Sequence, residues 1–567
     1  MKNEPAFLVP GVWLLLATAV FAVAMPRIDD LGLYYDEAFL AQQGRDFVEP
    51  QRAGMHPPSV TTTYIAGRPF PVRNAAYLGS LKSQLVIPTF FAFGANTKVL
   101  RATTLAIGLF ALLFCMLLAK QWFGARVAVA TGVLIATDPS FYFFSQFEWG
   151  PFTSMLLCRG AGLYCISRAF HPEATNNRWA AVVCGAVLLG LGVYSRVDFA
   201  VILAGAATAL VACRRDLIAS AVQERRGMLI AGALVFAVAV TPVLAVVGQV
   251  LGAGAGIADR GDLGYRIQVL LSTLDGSHFY RLIQAGGLFD RMFAEPGPTT
   301  ALPILLLAGV AITWLLARRS DTQRKSAIGF LWVATLFITV VMLAIPGAVR
   351  AHHMLNLLPF VHMIVAIAGV GLWDASWSSQ RSQALARMCV ALAAGACIYS
   401  NAVAIATTRE LIQDTGGIGR FSHARQDLIR KLDASPDAAA TQVVSLDWGF
   451  HEIALFESHN LVSTEPIWSM GKLARRQGGF IFDGNASTVY LLHAPPYDLF
   501  GYSERFAQAL PGIDPTRYEV TDHRDRRGDL VFKSARFDAP HRMTFDGTFR
   551  IRLSAAATPP RAPAEQP

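Results

Sequence analysis

The feature that most constrains the fold of this chain is a series of apolar runs, each about 20 residues long, that recurs from the N-terminus to near residue 406. A helix of that length crosses the roughly 30 Å hydrocarbon layer of a bilayer. The composition agrees, because 53% of the 567 residues are hydrophobic and only 16% are charged, against about 25% charged in soluble domains. The sequence therefore predicts a polytopic α-helical membrane protein and excludes an ordinary soluble enzyme.

Hydropathy predicts about eleven transmembrane helices. The first, Leu8–Ala24, follows Lys2 and has no convincing small-residue cleavage site, so we interpret it as a retained helix rather than a removed signal peptide. The other predicted spans are Leu100–Leu118, Val127–Phe144, Phe152–Ile166, Trp179–Tyr194, Phe199–Ala212, Met228–Leu251, Ala301–Ala317, Ile328–Ile345, Met354–Trp373 and Val390–Ala406.

The charges between the spans predict their orientation. The formal net charge is +9, and Lys and Arg concentrate in alternate short loops, as the positive-inside rule requires of the cytoplasmic side. With a cytoplasmic N-terminus, the outward connections are a long loop over 26–84, a second loop over 252–300 and several short turns. The basic inward loops lie around residues 120–126, 168–178, 214–226, 318–325 and 381–387.

The chemistry of the chain changes after residue 407. Residues 408–554 carry charge, turns and short strand-like runs, which predict a soluble α/β domain on the outer, periplasmic face. Residues 555–567 are rich in Ala and Pro, which predicts a disordered tail. The clearest predicted strands are Gln442–Leu446, Thr488–Leu492 and Asp529–Phe532.

The strongest candidate for chemistry is the adjacent pair Asp36 and Glu37, directly after the first span on the outward side. A solvated helix start is one explanation, because acidic residues suit a helix N-terminus. A catalytic role is the other. Neighbours on a helix point about 100° apart, so one carboxylate can face a reacting centre while the other orients a partner. A carboxylate at the edge of a low-dielectric site can remove a proton from a hydroxyl.

Charges in or beside the apolar runs form a second group of candidates. Asp138 precedes Pro139, Glu148 lies at the outer end of the same hairpin, and Arg196 with Asp198 lies at another. Charged side chains in such places are costly and often functional. The alternatives are a helix-breaking turn at Asp138 and a mutual ion pair between Arg196 and Asp198.

A third group is basic. Arg350, His352 and His353 begin a late span, and Lys82 lies in the first outward loop. Their clustering favours an anion site, and interfacial snorkelling of long side chains is the alternative. Adjacent histidines lack the i, i+3 or i+4 spacing of helical metal ligands, so we predict no metal site.

Several short motifs, taken in order, resemble the GT-C glycosyltransferases, specifically the protein O-mannosyltransferase and aminoarabinose transferase branch with its bacterial RgtA-like members. The resemblance covers most of residues 8–406 in layout and makes residues 1–407 a GT-C-like catalytic domain. The motifs that carry it are Tyr35–Phe39, Tyr77–Leu81, Phe93–Gly94, Leu100–Arg101, Ala136–Pro139, Arg350–Pro359 and Val444–Gly449.

The resemblance implies an inverting transfer from a polyprenyl-phosphate sugar to a glycolipid, polysaccharide or protein of the cell envelope. It implies a bacterial inner membrane with a periplasmic site, no nucleic-acid partner, no certain cofactor and a doubtful role for divalent metal. The implied roles are as follows: Asp36 as base, Glu37 as its positioning partner, Asp138 and Glu148 as a second acidic site, and Arg350, Arg196, His353 and Lys82 at the donor phosphate.

Two other classes of protein remain open at this point. A transporter or flippase for a lipid-linked or small solute also places charges in a helical bundle, although its substrate groups belong near the midplane. A non-catalytic scaffold explains neither the acidic pair nor Arg350. The clustering of the candidates at the outer surface favours the transferase.

Overall fold

The computed structural model describes residues 7–51, 61–75, 77–171, 177–246, 248, 262–345, 350–377, 379–464, 479–498 and 501–554. It shows a bundle of apolar helices followed by a mixed α/β region, which confirms the predicted polytopic helical class with a C-terminal α/β part. The predicted disordered tail, 555–567, lies outside the described residues.

Every span that hydropathy predicts contains helical residues in the structure. The first half contains α1 (Leu8–Ala24), α2 (Tyr35–Val48), β1 (Thr61–Ile65), β2 (Arg68–Ala75), β3 (Leu78–Gly79), α3 (Leu81–Phe93), α4 (Thr97–Phe123), α5 (Ala125–Thr137), α6 (Pro139–Phe144), α7 (Phe152–Phe170), α8 (Arg178–Ser195), α9 (Phe199–Cys213), α10 (Arg215–Glu224) and α11 (Arg226–Leu244). The second half continues with α12 (Leu263–Leu274), α13 (His278–Gln284), α14 (Leu302–Arg319), α15 (Thr322–Ala344), α16 (Ala351–Met354), α17 (Phe360–Asp374) and α18 (Gln380–Thr415).

Within the described ranges, 7 helices are long and apolar enough to cross a membrane, or 8 with the bent pair formed by α16 and α17. This is fewer than the eleven predicted, partly because predicted spans such as the one at α9 form apolar helices of fewer than 18 residues. Helix α18 has 36 residues, so at about 1.5 Å per residue it is much longer than the hydrocarbon layer. The predicted domain boundary at residue 407 therefore falls inside a continuous helix, and this helix carries the chain directly into the C-terminal domain.

Two local predictions differ from the structure. The predicted span Val127–Phe144 is broken at Asp138, whose extended backbone separates α5 from α6. Pro139 causes the break, because its ring disfavours the helical conformation for the preceding residue. Helix α3 begins inside the loop predicted over 26–84 and continues to Phe93, in a region where no span is predicted.

The C-terminal domain is built on two sheets. A five-stranded mixed sheet has the order β5-β4-β7-β9-β8, and a three-stranded sheet has the order β11-β10-β6. All three predicted strand regions are confirmed. The elements are α19 (Ala424–Asp433), β4 (Gln442–Ser445), α20 (His451–Glu457), β5 (Val462–Thr464), β6 (Phe480–Gly484), β7 (Thr488–His493), α21 (Tyr502–Ala509), β8 (Tyr518–Arg524), β9 (Leu530–Phe537), β10 (His541–Phe545) and β11 (Phe549–Leu553).

The C-terminal domain packs directly on helix α2. One apolar cluster joins Leu33 and Val86 of the helical part to Ile453 and Phe456 of α20. The backbone N–H of Leu33 donates to Oε1 of Gln426 at 2.6 Å. Burial of apolar side chains stabilises such an interface, so the domain is fixed against the segment that carries the acidic pair.

Candidate active site

The acidic pair lies in the first turn of α2. The helix begins at Tyr35, and the Glu37 side chain accepts a hydrogen bond from the Tyr34 backbone N–H at 3.2 Å. A side chain at this position satisfies one of the free N–H groups of a helix start. The local sequence therefore favours a helix that begins at Tyr35 and places both carboxylates in its first turn.

Glu37 is turned into the protein interior. Its Oε2 lies 2.8 Å from Nε of Arg101, and its Oε1 lies 3.0 Å from Nη2 of the same side chain. Arg101 also donates to the backbone carbonyls of Ile28, Leu31 and Gly32. This bidentate pair is fully buried, so Glu37 holds the loop before α2 and, in this arrangement, presents no free oxygen to a substrate.

Asp36 faces away from that pair, toward the turn between α6 and α7. The backbone N–H of Gly150 donates to its carboxylate, and the Arg196 guanidinium lies near enough to lower the pKa of that carboxyl. Burial has the larger effect and, with the charge of Glu37, raises the pKa of Asp36 to about 7. Burial and the nearby Asp36 also raise the pKa of the Tyr77 phenol. Asp36 is thus suited to exchange a proton near neutral pH.

Gly150 joins the carboxylate to the basic group. It has φ +68 and packs so tightly that an added Cβ would meet Nη1 of Arg196 at 2.9 Å and the ring of His352 at 3.3 Å. Only glycine adopts this backbone conformation without strain. A side chain here would also push apart the groups that surround Asp36.

Three of the predicted phosphate-binding residues contact one another, and one of them, Arg196, lies near Asp36. Nη2 of Arg196 lies 2.5 Å from Nε2 of His353, and Nδ1 of His353 accepts the Arg350 backbone N–H at 3.1 Å. Nε of Arg196 lies 3.4 Å from Oδ1 of Asp198, so the ion pair considered from the sequence is also present. The Arg350 guanidinium lies 3.6 Å from the centre of the Phe289 ring. Two guanidinium groups and a histidine in a confined, partly buried space suit a phosphate.

The fourth predicted phosphate ligand, Lys82, has a different partner. Its Nζ lies 2.7 Å from Oε2 of Glu148, and the two side chains are 1% and 3% exposed. Lys82 also donates to Thr104 at 2.5 Å, and Glu148 accepts the Thr153 N–H at 2.7 Å. The two predicted site residues therefore neutralise each other inside the bundle, and Lys82 is engaged by a carboxylate rather than open to a phosphate.

Asp138, the other member of the predicted second acidic site, is a helix cap. Its Oδ1 accepts the Ser140 N–H at 2.7 Å, and its Oδ2 lies 2.8 Å from Nε2 of His362. Both side chains are buried. These contacts match the helix-breaking turn that the Asp-Pro sequence indicates, and they satisfy both carboxylate oxygens.

The C-terminal domain contributes a residue that the sequence did not single out, Glu452 of α20. It is 7% exposed, and its Oε2 has no hydrogen-bond partner among the described residues. Burial and the charge of Asp36 raise the pKa of Glu452 to about 8. The available signal in the sequence is that Glu452 lies three residues after the strand motif Val444–Gly449. This signal is weak, because Glu452 and Asp36 are far apart along the chain.

Within the part of the chain that the structure describes, no three His, Cys, Asp or Glu side chains are grouped so as to hold a metal ion. The doubtful role of a divalent metal, which the family resemblance implies, stays a prediction.

Comparisons with known proteins relate this arrangement to one group of membrane enzymes. Residues 84–245 match the family model described as dolichyl-phosphate-mannose-protein mannosyltransferase. No curated protein matches the chain. Similar solved structures are those of ArnT from Cupriavidus metallidurans, in the apo state and bound to undecaprenyl phosphate. Each has 14% sequence identity and a TM-score of 0.55, covering 93% of this chain and 98% of that one.

The oligosaccharyltransferase of Archaeoglobus fulgidus in its apo form is also similar, with 15% identity and a TM-score of 0.50, covering 87% of this chain and 70% of that one. At these identities the structural likeness establishes the fold. The family match confirms, over residues 84–245, the resemblance to membrane glycosyltransferases that the sequence motifs indicate. The structural likeness shows a shared fold over 93% of the chain.

Proposed function

We propose that this protein is an inverting glycosyltransferase that takes a sugar from a polyprenyl phosphate and transfers it to an acceptor of the bacterial cell envelope at the outer face of the inner membrane. One observation carries the proposal: Asp36 accepts the Gly150 N–H and lies beside Arg196, which contacts His353. A candidate base, Asp36, thus lies next to a candidate anion-binding group, Arg196 with His353, near the junction with the C-terminal domain. Sugar transfer needs a base for the acceptor hydroxyl and a positive charge for the leaving phosphate.

The chemistry assigns a role to each group. Asp36 takes the proton of the acceptor hydroxyl as that oxygen attacks the anomeric carbon. The bond from this carbon to the phosphate oxygen breaks on the opposite face, so the configuration inverts. Arg350, Arg196 and His353 neutralise the charge that develops on the leaving polyprenyl phosphate. Glu37 holds the α2 loop through Arg101, which keeps Asp36 in position.

The nature of the donor is supported by the relatives. One similar ArnT structure contains undecaprenyl phosphate, and the matching family is described by a dolichyl-phosphate sugar. A lipid phosphate is already an activated leaving group, so the reaction needs no nucleotide site. We propose a hexosyl or pentosyl donor and a glycolipid, polysaccharide or protein acceptor.

The test is a comparison of cells that lack the protein with cells in which it is restored. Mass spectrometry would measure polyprenyl-phosphate sugars and envelope glycans in both. We expect the lipid-linked sugar to accumulate and one glycan residue to disappear in the absence of the protein. Unchanged profiles would contradict the proposal, and a lipid-linked sugar displaced from one leaflet to the other, without loss of transfer by isolated membranes, would indicate a flippase.

The pKa of Asp36 predicts the pH dependence of transfer. The base must be deprotonated, and burial raises the pKa of Asp36 to about 7. We therefore expect kcat/KM to fall about tenfold for each pH unit below about 7 and to level off above it, because the fraction of ionised carboxylate follows that course. Kinetics from about pH 5 to about pH 8.5 would measure this, with unfolding temperatures recorded at each pH. A flat profile with constant stability would exclude Asp36 as the base.

Substitution of Arg350 by alanine should chiefly weaken use of the donor. A hydrogen bond to a charged group contributes about 1.5–3 kcal/mol, so we expect the KM for the polyprenyl-phosphate sugar to rise about 10- to 100-fold. The exposed Arg319 at the end of α14 offers a matched control, since Arg319→Ala removes the same charge outside the proposed site and should leave the donor KM unchanged. An unchanged donor KM in a folded Arg350→Ala variant would remove Arg350 from the phosphate site.

A further inference from the structure

The C-terminal domain places two buried arginines against the start of α2. Arg425 is 1% exposed and Arg420 is 4% exposed. Arg425 donates to the backbone carbonyls of Gly449 and Leu33 at 3.2 Å each. Among the described residues no carboxylate lies within ion-pair distance of Arg425, and its Nε has no acceptor. A buried charge without a counter-charge is costly.

The charge around Arg420 is only partly balanced. Its Nη2 lies 3.4 Å from Oδ1 of Asp447, and its Nε also has no acceptor. Burial and the nearby Asp498 raise the pKa of Asp447 to about 7, although Arg420 acts to lower it. Burial and the neighbouring Arg420 lower the pKa of Arg425 to about 9, as expected of cations that lack a full complement of anions.

These guanidinium groups open onto a small pocket rather than into a closed core. The pocket is lined by Arg420, Arg425, Tyr34, Tyr35, Trp448 and Gly449. The ring of Trp448 lies edge-on to that of Tyr35 with centroids 4.8 Å apart. The pocket encloses only about 180 Å³ of empty space, which is less than a site for a whole sugar needs. Paired arginines at such a pocket suit a single carboxylate or phosphate group.

The position of the pocket indicates which substrate it serves. Tyr35 precedes Asp36 in the chain, and Glu452, whose pKa responds to Asp36, follows Gly449 by three residues. The proposed donor-phosphate residues Arg196, His353 and Arg350 do not line this pocket, although Arg350 is near enough for its charge to act on the Tyr34 phenol. The pocket instead belongs to the interface between α2 and the C-terminal domain.

We propose that Arg425 and Arg420 bind an anionic group, a phosphate or a carboxylate, on the acceptor sugar and thereby bring its hydroxyl to Asp36. This inference rests on the proposed function and deepens it by naming a chemical property of the acceptor. It also gives the C-terminal domain a part in substrate binding.

The first experiment measures binding without transfer, so it reports on the pocket even if no reaction is detected. Purified full-length protein in nanodiscs would be titrated with glucose 6-phosphate, glucuronate and glucose by calorimetry. We expect one or both anionic sugars to bind and glucose not to bind detectably, and the stronger of the two identifies the anion. In Arg425→Gln and Arg420→Gln, binding should weaken about tenfold or more, because each removes a charged hydrogen-bond donor.

Two controls separate binding from folding. Arg536→Gln removes an exposed arginine of the same domain and should leave the affinity unchanged. Arg425→Lys keeps the charge and should retain binding better than Arg425→Gln at a similar unfolding temperature. Equal affinity for all three sugars, or unchanged affinity in folded Arg425→Gln and Arg420→Gln, would show that the arginines only fasten the two parts of the protein.

A second experiment uses transfer itself and separates the two substrates. With an acceptor that the enzyme uses, Arg425→Gln should raise the acceptor KM about tenfold or more and leave the donor KM unchanged. A rise in the donor KM alone would overturn the inference, because the arginines would then serve the polyprenyl phosphate.

Discussion

Replacing Asp36 by asparagine should reduce kcat for sugar transfer by about 100- to 10,000-fold, the contribution typical of a general base. The amide has the shape of the carboxylate and still accepts a hydrogen bond from Gly150, so the fold should be retained. The pKa of Asp36 is raised to about 7 by burial, and removal of a charge that is costly to bury should not lower stability. The measurement is single-turnover transfer from a labelled polyprenyl-phosphate sugar by purified protein.

The control for this variant is Asp29→Asn, which makes the same chemical change at an exposed position in the loop before α2. It should transfer sugar at the wild-type rate. If Asp36→Asn also kept that rate while folded, the base would have to be sought elsewhere, and Glu452 would be the first residue to change.

Replacing Glu37 by glutamine should act mainly on stability. Glu37 forms a bidentate ion pair with Arg101, which is fully buried. Loss of one partner of a buried pair leaves an uncompensated charge and costs about 3–5 kcal/mol. We expect a large fall in the unfolding temperature and faster proteolysis of the loop before α2, with loss of activity that follows the loss of folded protein. Thermal unfolding in detergent and limited proteolysis measure both effects.

A matched control for Glu37→Gln is Glu519→Gln on the exposed strand β8, where the same change should alter stability by less than about 1 kcal/mol. The alternative outcome is also informative. A Glu37→Gln protein with wild-type stability and greatly reduced kcat would show that Glu37 acts in the chemical step, as its position beside Asp36 in the sequence suggests.

The helical part could be predicted from the sequence because hydropathy is a local property. Helix α1 coincides with its predicted span Leu8–Ala24, since each residue of an apolar run contributes to membrane burial whatever its partners are. The helix break at Asp138 also has a local cause, the Asp138-Pro139 pair, although the predicted span Val127–Phe144 continues through it. The motif order that carried the resemblance is likewise a property of the chain alone.

The roles of individual charges were decided only by the tertiary structure. Asp36 and Glu37 are adjacent and chemically alike, and the sequence could not tell which would be free. Arg101, 64 residues away, donates hydrogen bonds to both carboxylate oxygens of Glu37. The carboxylate of Asp36 stays unbound by Arg101 and faces Arg196. In the same way Glu148 forms an ion pair with Lys82, a cation that the family resemblance assigned to the donor phosphate.

The part taken by the C-terminal domain also appeared only in the folded chain. Arg425 donates a hydrogen bond to the carbonyl of Leu33 across 392 positions, and Glu452 lies near enough to Asp36 for the charge of Asp36 to raise its pKa. Ion pairs and hydrogen bonds depend on distances of a few ångströms between groups that sequence separation does not constrain. The sequence by itself determined the apolar helices, their order along the chain and the acidic pair at the start of α2. The tertiary structure decided which of its charges are paired in the interior and which are left facing a substrate, because pairing is set by proximity in space.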